Sequence, residues 1–563
     1  MQSTRDIKHQ LESIYGKKKG ERAFQKILPL IDTPLKKRKT KEYFSNLDSV
    51  LITYGDSLKK DDERPLQTLH RFAASYLKDV FSTIHILPFY PYSSDDGFSV
   101  MDFFSVDPAL GSWKDIKSLR GDFHLMFDHV LNHISAKSEW FQKYLTQEKG
   151  FEKIAIEVDP TTDISAVTRP RALPLLTEFE KKSNKKVFVW TTFSADQIDL
   201  NYQSIDVLEK IIKVLLFYVQ HGATIVRLDA IAYLWKEIGT DCIHHQKTHE
   251  VVQLFRKILN VVAPGTIILT ETNVPHDENI SYFGDGRNEA QMVYNFTLPP
   301  LLLHAFTTEH AGILSHWAKG LHVPSDETTF YNFTASHDGV GVRPLEGILN
   351  AGETKRLSEL VKENGGGVSF KKNPNGTQSP YELNITYVDA LLKKKVDPYH
   401  VQRFLATQAV QYVLPGVPAT YIHSLLGSRN WQEGVKHTKQ LRTINREKLS
   451  MDDVKKELND PNSFRSRIFY PYIELIKVRK AQKAFHPNSN FTILNINEKV
   501  FAIKRFCDDQ TIYALTNVTS KCVHVSLKEN VAGSQLKDLV TGIKVSTNDV
   551  ELKPYQYMWL TDD

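Results

Sequence analysis

The sequence is poor in cysteine and lacks a long apolar run. Its 563 residues include three cysteines, Cys242, Cys507 and Cys522, whose spacing fits neither a metal site nor a disulfide framework. This favours a reducing compartment. The strongest apolar stretches, at 211–219 and 409–422, are short or interrupted, whereas a membrane helix needs about 20 apolar residues. No apolar core follows the charged N-terminus as it does in a signal peptide. These absences predict a soluble cytoplasmic protein without a membrane partner.

An excess of one charge is also missing. Lys and Arg number 71 against 66 Asp and Glu, and a net charge of +5 over so long a chain argues against a nucleic-acid binder. Hydrophobic residues make up 41%, charged residues 24% and aromatic residues 11%, which excludes disordered, collagen-like and coiled-coil proteins. Two basic clusters, Lys17–Lys19 and Lys36–Lys39, are compatible with a localisation signal or an anion patch. We interpret them as parts of a solvated linker.

An alternation of short apolar runs and amphipathic segments begins at residue 49. Eight such units predict the α/β class and a closed (β/α)8 TIM barrel over residues 49–486, after a helical extension at 1–48. The gap after the third strand predicts an inserted subdomain at 134–196, and a Gly/Asn/Lys-rich stretch at 364–381 predicts a loop over the active face. Short strands after residue 487 predict a C-terminal β-sandwich domain at 487–563. The eight candidate barrel strands are Val50–Tyr54, Ile84–Phe89, Leu125–Val130, Thr224–Asp229, Ile267–Glu271, Met292–Phe296, Thr329–Ser336 and Ala419–Ile422.

Carboxylates stand at the carboxyl ends of three of these strands, where barrel enzymes place their catalytic groups. Asp229 ends the fourth strand, Glu271 the fifth, and Asp338 follows the seventh. One such residue is more often a helix cap or a salt-bridge partner, but three at one opening favour catalysis. Glycoside chemistry needs one carboxylate as nucleophile and one carboxylic acid to protonate the leaving oxygen. Arg227, two residues before Asp229, is positioned to keep that carboxylate ionised.

These segments, together with Asp128 and the Asn132–His133 pair, resemble the four short regions of the α-amylase superfamily. The chain around them resembles its sucrose-phosphorylase branch over nearly all of residues 49–480. The resembling segments include 51–54, 84–89, 95–98, 132–135, 298–304, 414–418 and 444–446. The resemblance implies a glycosyltransferase that acts as a retaining phosphorylase, with a sugar and inorganic phosphate as its small-molecule substrates.

Residue roles follow from this resemblance position by position. It implies Asp229 as nucleophile, Glu271 as general acid/base and Asp338 as transition-state stabiliser. Asp95 and Arg442 match a pair that grips the far hydroxyl of the glucosyl unit, and Arg171 matches an arginine near phosphate. Tyr233 and Tyr381 match acceptor-side residues. The remaining implied sugar-binding residues are Phe98, His133, Phe193, Gln197, Arg227 and His337.

Metal and cofactor are both expected to be absent. In many amylases the residue equivalent to Asn132 helps to bind calcium, but the phosphorylase branch does not need that ion, and no oxygen-rich loop in the sequence demands it.

The choice of acceptor depends on a narrower resemblance. Segments 93–100, 165–174, 270–276 and 426–430 resemble those of the glucosylglycerate phosphorylases, which implies phosphorolysis of 2-O-α-D-glucosylglycerate to α-D-glucose 1-phosphate and D-glycerate. Sucrose phosphorylase and glucosylglycerol phosphorylase are the alternatives. A non-catalytic transporter ectodomain is a further one, disfavoured because the three carboxylates are present and a membrane anchor is not seen. A glycerate site needs a cation or dense donors. We predict Arg429 for this role, with Arg343, His245 and Lys247 as other candidates.

Overall fold

A closed barrel of eight parallel strands forms the centre of the protein. The computed structural model describes residues 2–32, 34–35, 42–171, 173–372, 377–393, 396–531 and 533–562. Neighbouring strands in the barrel are also neighbours along the chain, and the first strand pairs with the last, with Val50 opposite Ala419. The strands are β1 (Val50–Thr53), β2 (Thr83–Ile86), β3 (His124–His129), β4 (Ala223–Leu228), β5 (Ile267–Thr270), β6 (Met292–Tyr294), β7 (Thr329–Phe333) and β8 (Val417–Tyr421).

The strands are short and apolar because helices cover the outside of the barrel and side chains fill its inside. All four residues of β1 and all four of β2 are buried. The predicted fold class is confirmed, since each of the eight candidate strands contributes one barrel strand. The longer helices around the barrel are Pro65–Tyr76, Trp113–Asp122, Ile205–Gln220, Gln246–Val262, Leu298–Thr308, Gly312–Lys319, Ala351–Glu363, His400–Val413 and Phe464–Lys480.

Shorter helices lie in the connections between these elements. The short α-helices are Glu139–Leu145, His276–Ile280, Tyr387–Ala390, Ile422–Leu425, Gln432–Thr438 and Met451–Leu458. The 3-10 turns are Asp95–Gly97, Ile231–Tyr233, Ser281–Phe283, Arg343–Leu345, Leu441–Asn445 and Lys483–Phe485. Several of them carry the polar side chains described below.

Two helices, Gln2–Tyr15 and Lys17–Ile31, precede the barrel. The Gln10 amide donates to the Glu250 carbonyl at 3.0 Å, and the Tyr15 hydroxyl donates to the Tyr202 carbonyl at 2.7 Å. Lys26 pairs with Asp206 at 2.6 Å. The helices therefore pack onto the barrel helices Gln246–Val262 and Ile205–Gln220. The basic cluster Lys17–Lys19 begins the second helix, whereas Lys36–Lys39 lies outside the described residues.

The long connection between β3 and β4 contains two small antiparallel ladders. His133–Ser135 pairs with Gln197–Asp199, and Leu176–Glu180 pairs with Lys186–Trp190. The first ladder closes the base of the insertion, so residues at both of its ends are held close to the barrel mouth. The domain boundaries given above stay predictions.

The stretch 364–381 differs from the predicted irregular loop. Gly367–Lys372 and Gln378–Asn384 form an antiparallel hairpin, and Val340–Gly341 adds a third strand beside the second. Composition suggested a loop because glycine, asparagine and lysine are rare in strands. The pairing with residues 340–341, some forty positions away, leaves no local signal. The tip at 373–376 lies outside the described residues.

The C-terminal region is all β, as predicted. Its six-stranded sheet has the order Asn490–Ile493, Val500–Cys507, Gln510–Asn517, Tyr557–Thr561, Gln535–Asp538 and Lys544–Ser546. A separate ladder, Val523–Val525 with Val550–Leu552, shares an apolar core with this sheet. The apolar stretch 550–560 contributes to two strands, Val550–Leu552 and Tyr557–Thr561, that belong to different sheets. Within the described residues, none of the helices combines the length and the apolar character that crossing a membrane requires.

Candidate active site

A polar pocket opens at the carboxyl ends of the barrel strands. Asp229 directly follows β4, Glu271 directly follows β5, and Asp338 lies in the loop after β7. The structure brings these three carboxylates together in one pocket, as the strand-end positions predict. The pocket is lined by Asp95, Phe98, His133, Arg171, Phe193, Gln197, Asp229, Ala230, Glu271, Asn273, Phe296, His337, Asp338, Gly339, Tyr381, Glu382 and Arg442.

A buried arginine lies beneath the carboxylates. One Arg227 guanidinium nitrogen bonds to Asp128 and, at 2.7 Å, to Asp229, and the other lies 3.9 Å from Glu271. Asp128 is also bonded to His85 at 2.7 Å, and the Arg227 side chain is 2% exposed. Burial raises the pKa of Asp229, and the adjacent guanidinium opposes that rise. Arg227 therefore orients one oxygen of Asp229 and favours its ionised form.

Glu271 has no such close cation. Its carboxylate accepts a hydrogen bond from the Ala230 backbone N–H at 2.8 Å. Ala230 has a left-handed φ of 49°, which turns the chain sharply after Asp229 and points this N–H toward the neighbouring strand end. Burial raises the pKa of Glu271 to about 7, with Asp229 and Asp338 adding to the rise and Arg227 opposing it. A carboxylic acid with this pKa can donate and accept a proton near neutral pH.

Asp338 is the most strongly ionised of the three. It lies 2.7 Å from Arg442 and 3.8 Å from Arg446. Burial alone would raise the pKa of Asp338, but the two guanidiniums hold it well below its usual range. Arg442 is fixed in turn by a two-pronged contact with the buried Glu382, at 2.9 and 2.8 Å. The two side chains of the predicted hydroxyl-gripping pair, Asp95 and Arg442, both line the pocket.

Asp95 lies in a strained turn after β2. Asp95 and Asp96 have φ values of 53° and 47°, and a Cβ on the following Gly97 would lie 2.6 Å from the Pro88 carbonyl oxygen. The Asp95 carboxylate lies 3.4 Å from Arg171 and 3.7 Å from Arg446. These arginines overcome the effect of burial and hold the pKa of Asp95 below its usual range.

Aromatic and neutral polar groups form the remaining wall. The Phe98 ring stacks on His337 at 4.7 Å, and its carbonyl lies 2.9 Å from a His133 ring nitrogen and 3.3 Å from the Gln197 amide. Burial lowers the pKa of both His133 and His337, the latter to about 3, so both rings are neutral. Phe193 packs against His133 at 5.3 Å. Neutral donors and flat apolar faces of this kind suit a sugar ring.

The predicted residues fall into two groups. Most of them line the pocket. Arg227 lies below the pocket, and Tyr233 lies behind its wall, packed edge-to-face on Phe193 at 5.4 Å. Arg429 does not line it. Its side chain is 50% exposed, pairs with Asp389 and lies over the Phe464 ring. Arg429 therefore does not lie where the predicted acceptor-binding role requires it.

Sequence reasoning missed several functional side chains. No role was predicted for Arg446, although it lies in the resembling segment 444–446. Its guanidinium contacts Asp96 at 2.6 Å and donates to the His337 carbonyl at 2.8 Å. Glu382 directly follows the predicted Tyr381. Asn273, in the resembling segment 270–276, and Phe296, the last residue of the sixth candidate strand, also line the pocket, so their positions carried a signal.

A buried lysine contacts Asn132, whose equivalent helps to bind calcium in many amylases. The Lys236 ammonium donates to the Asn132 side-chain oxygen at 2.7 Å and pairs with Asp199 at 2.5 Å, and all three side chains are buried. The Lys236 ammonium therefore connects Asn132, just after β3, to the short strand Gln197–Asp199 at the end of the insertion. Elsewhere in the described chain, Cys522, His524 and Glu551 lie close enough to share a metal ion, on the exposed face of the C-terminal ladder.

Comparison with known proteins agrees with this geometry. Residues 73–334 match the family profile described as alpha amylase, catalytic domain, and residues 491–559 match the maltogenic amylase C-terminal domain. The chain is 46% identical to the glucosylglycerate phosphorylase of Escherichia coli K12, over 98% of both chains. It is 50% identical to that of Spirochaeta thermophila, over 85% of this chain and 82% of the relative. The chain belongs to the glucosylglycerate phosphorylase family.

Sucrose-phosphorylase relatives are more distant. The crystal structure of a sucrose 6F-phosphate phosphorylase from Thermoanaerobacter thermosaccharolyticum superimposes with a TM-score of 0.74 at 27% identity, over 84% of this chain and 94% of that one. The resemblance of the sequence to the glucosylglycerate phosphorylases is thus confirmed at the level of the family.

Replacement of Lys236 by Met should destabilise the protein. It would leave the buried Asp199 carboxylate with hydrogen-bond donors from Thr192 and Asn132 but without its cation, and breaking a buried ion pair typically costs about 3–5 kcal/mol. The matched control is Lys213→Met, because that ammonium pairs with Glu209 at 2.6 Å on the exposed surface, where a pair contributes about 0–1 kcal/mol. Urea unfolding of the two variants measures the difference. Equal losses in the two variants would show that the buried ammonium has no structural role.

Proposed function

We propose that this protein is a retaining phosphorylase that converts 2-O-α-D-glucosylglycerate and phosphate into α-D-glucose 1-phosphate and D-glycerate. One observation carries the proposal: Asp229 is paired with Arg227 at 2.7 Å beside Glu271, whose pKa is about 7. This is the charge arrangement that a nucleophile and a proton donor need. Membership of the glucosylglycerate phosphorylase family supports the choice of substrate over sucrose and glucosylglycerol.

In the first half-reaction, Asp229 attacks the anomeric carbon of the glucosyl unit as the bond to the glycerate oxygen breaks. Glu271, in its protonated form, transfers its proton to that oxygen, so glycerate leaves as a neutral alcohol at that position. The product is a β-glucosyl ester of Asp229. Asp338, kept anionic by Arg442, stabilises the positive charge that develops on the sugar ring.

In the second half-reaction, a phosphate oxygen attacks the same carbon and displaces the Asp229 carboxylate. Glu271 is now ionised and accepts the phosphate proton, which restores the starting state with retention of configuration. Phosphate is an anion entering a pocket of carboxylates, so it requires a cation. We assign this role to Arg171, which lies 5.7 Å over the Phe193 ring and 29% exposed beside Asp95.

The glucosyl unit is held by the closed side of the pocket. We assign its binding to Asp95, Phe98, His133, Phe193, Gln197, His337 and Arg442, and the acceptor side to Tyr233 and Tyr381. We place the reaction in the cytoplasm. The chain carries free cysteines at 242, 507 and 522, consistent with a reducing compartment.

The substrate assignment is tested by supplying phosphate with glucosylglycerate, glucosylglycerol or sucrose and measuring glucose 1-phosphate. Glucosylglycerate should give the highest kcat/KM. The Asp229→Asn variant should be inactive with every donor, because an amide does not form the ester. Faster phosphorolysis of sucrose would contradict the substrate, and turnover by Asp229→Asn would contradict the mechanism.

A second prediction concerns pH. Because Glu271 must be protonated in the first half-reaction and its pKa is about 7, kcat/KM for glucosylglycerate should fall tenfold per unit above about pH 7. The control is Glu271→Gln with α-D-glucosyl fluoride, whose leaving group needs no proton; that reaction should lack the fall. A wild-type profile that stays flat from pH 6 to 9 would contradict the role of Glu271.

A third prediction separates phosphate from water. Arg171→Ala should lower phosphorolysis about 10- to 100-fold and lower hydrolysis of the glucosyl enzyme much less, since a charge-assisted hydrogen bond contributes about 1.5–3 kcal/mol and water carries no charge. The ratio of glucose 1-phosphate to glucose, measured against phosphate concentration, gives the result. An unchanged ratio would mean that Arg171 only holds the insertion in place.

A further inference from the structure

Glycerate places a strong constraint on the pocket. Its carboxylate is attached to the same carbon that bears the glycosidic oxygen, and Glu271 protonates that oxygen. A group that binds the carboxylate must therefore lie next to Glu271, on the side away from the glucosyl unit. A buried anion without a cationic or multiple-donor partner would lose its hydration without compensation.

Three of the four candidate cations are committed elsewhere. Arg429 pairs with Asp389 outside the pocket. Lys247 donates to the Ser13 carbonyl at 2.6 Å and pairs with Glu250 at 3.0 Å, where the first N-terminal helix packs. His245 lies 3.2 Å from Glu237 and stacks against Trp235. Arg343, which does not line the pocket itself, is the remaining candidate.

Arg343 lies just behind the acceptor side. The Val342 N–H donates to the carbonyl of pocket-lining Tyr381 at 3.1 Å, so the turn that carries Arg343 is attached to the pocket wall. The guanidinium lies near the Tyr233 hydroxyl, whose pKa it affects, and the Tyr233 ring packs on pocket-lining Phe193 at 5.4 Å. Burial raises the pKa of Tyr233 to about 12, with Arg343 opposing the rise and Glu271 adding to it.

The hydrogen-bonding capacity of Arg343 is incompletely used. Its side chain is 14% exposed, and its Nε is buried with no hydrogen-bond partner among the described residues. Its ion pair is with Glu278, at 3.3 Å, and that carboxylate is 41% exposed and shared with His244 at 3.1 Å. Solvent screens such a pair, so Glu278 orients the guanidinium without fully neutralising it.

A pocket-lining amide lies beside Gly341, two residues before Arg343. Asn273 lines the pocket and packs closely on Gly341, where a Cβ would lie 2.5 Å from the amide. Its side-chain oxygen is buried and accepts no hydrogen bond from the described chain. Asn273 thus offers an acceptor for a hydroxyl two residues after Glu271, while Arg343 offers donors for an anion.

We propose that Arg343 and Asn273 form the subsite for the acceptor, with the guanidinium binding the carboxylate of a short 2-hydroxy acid and the amide oxygen accepting from its free hydroxyl. This subsite rests on the function proposed above. It is distinct from the phosphate cation, because Arg171 lies over the Phe193 ring beside Asp95, whereas Arg343 pairs with Glu278.

The test uses α-D-glucosyl fluoride as donor, so that no phosphate competes for the cations, and compares D-glycerate with glycerol as acceptors. Arg343→Gln should raise the KM for D-glycerate about 10- to 100-fold and change that for glycerol less than about threefold. Arg343→Lys should recover part of the loss, and Glu278→Gln should keep the preference for glycerate. Arg429→Gln is the matched control and should match the wild type with both acceptors.

The outcomes separate this subsite from the proposed function. A wild-type enzyme that glucosylates glycerol or water but not D-glycerate overturns both. A wild-type enzyme that makes glucosylglycerate, with Arg343→Gln unchanged for glycerate or impaired equally with both acceptors, overturns the subsite alone. Hydrolysis of the fluoride without acceptor, which needs only the glucosyl side, shows whether each variant is folded.

Discussion

The buried guanidinium of Arg227 is the constraint on which the pocket depends. The barrel brings Asp128, Asp229 and Glu271 to one dehydrated opening, and without a cation their charges would repel. Arg227 is shared unequally: it bonds to Asp128 and Asp229 but lies 3.9 Å from Glu271. Asp338 has Arg442 and Arg446 instead. Glu271 is therefore the carboxyl with the weakest cationic support, and burial raises its pKa to about 7.

The residues proposed for catalysis and those proposed for selecting the substrate come from different parts of the chain. The carboxylates and Arg227 lie on or directly after barrel strands, whose positions are fixed by continuous apolar packing. Arg171 comes from the insertion, Glu382 and Tyr381 from the hairpin at 367–384, and Arg343 from the turn beside it. The insertion is attached by the buried Lys236–Asp199 pair. The choice of leaving group and nucleophile can thus change with these segments while the barrel stays constant.

The barrel and the carboxylates could be predicted because their signals are local: apolar runs of strand length, and an acidic residue where each run ends. The hairpin at 367–384 could not, since its lysine and glycine residues are typical of loops and its third strand is distant in sequence. Arg429 and Arg343 look equivalent in the sequence, as cations on loops after late strands. Only the fold shows that Asp389, forty residues before Arg429, pairs with it, while the Val342 N–H bonds to the Tyr381 carbonyl and attaches the Arg343 turn to the pocket wall.

An anionic leaving group and an anionic nucleophile give this site an unusual electrostatic task. Glycerate departs and phosphate enters on the same side of the glucosyl enzyme, beside the carboxylates that perform the reaction. A single cation serving both would favour whichever anion binds more tightly and would slow the exchange. In the proposed arrangement Arg171 and Arg343 give the two anions separate partners, and each guanidinium is also paired with a carboxylate, Asp95 or Glu278. Those pairs limit how strongly the anions bind. Both products can then dissociate, which a reversible phosphorylase requires.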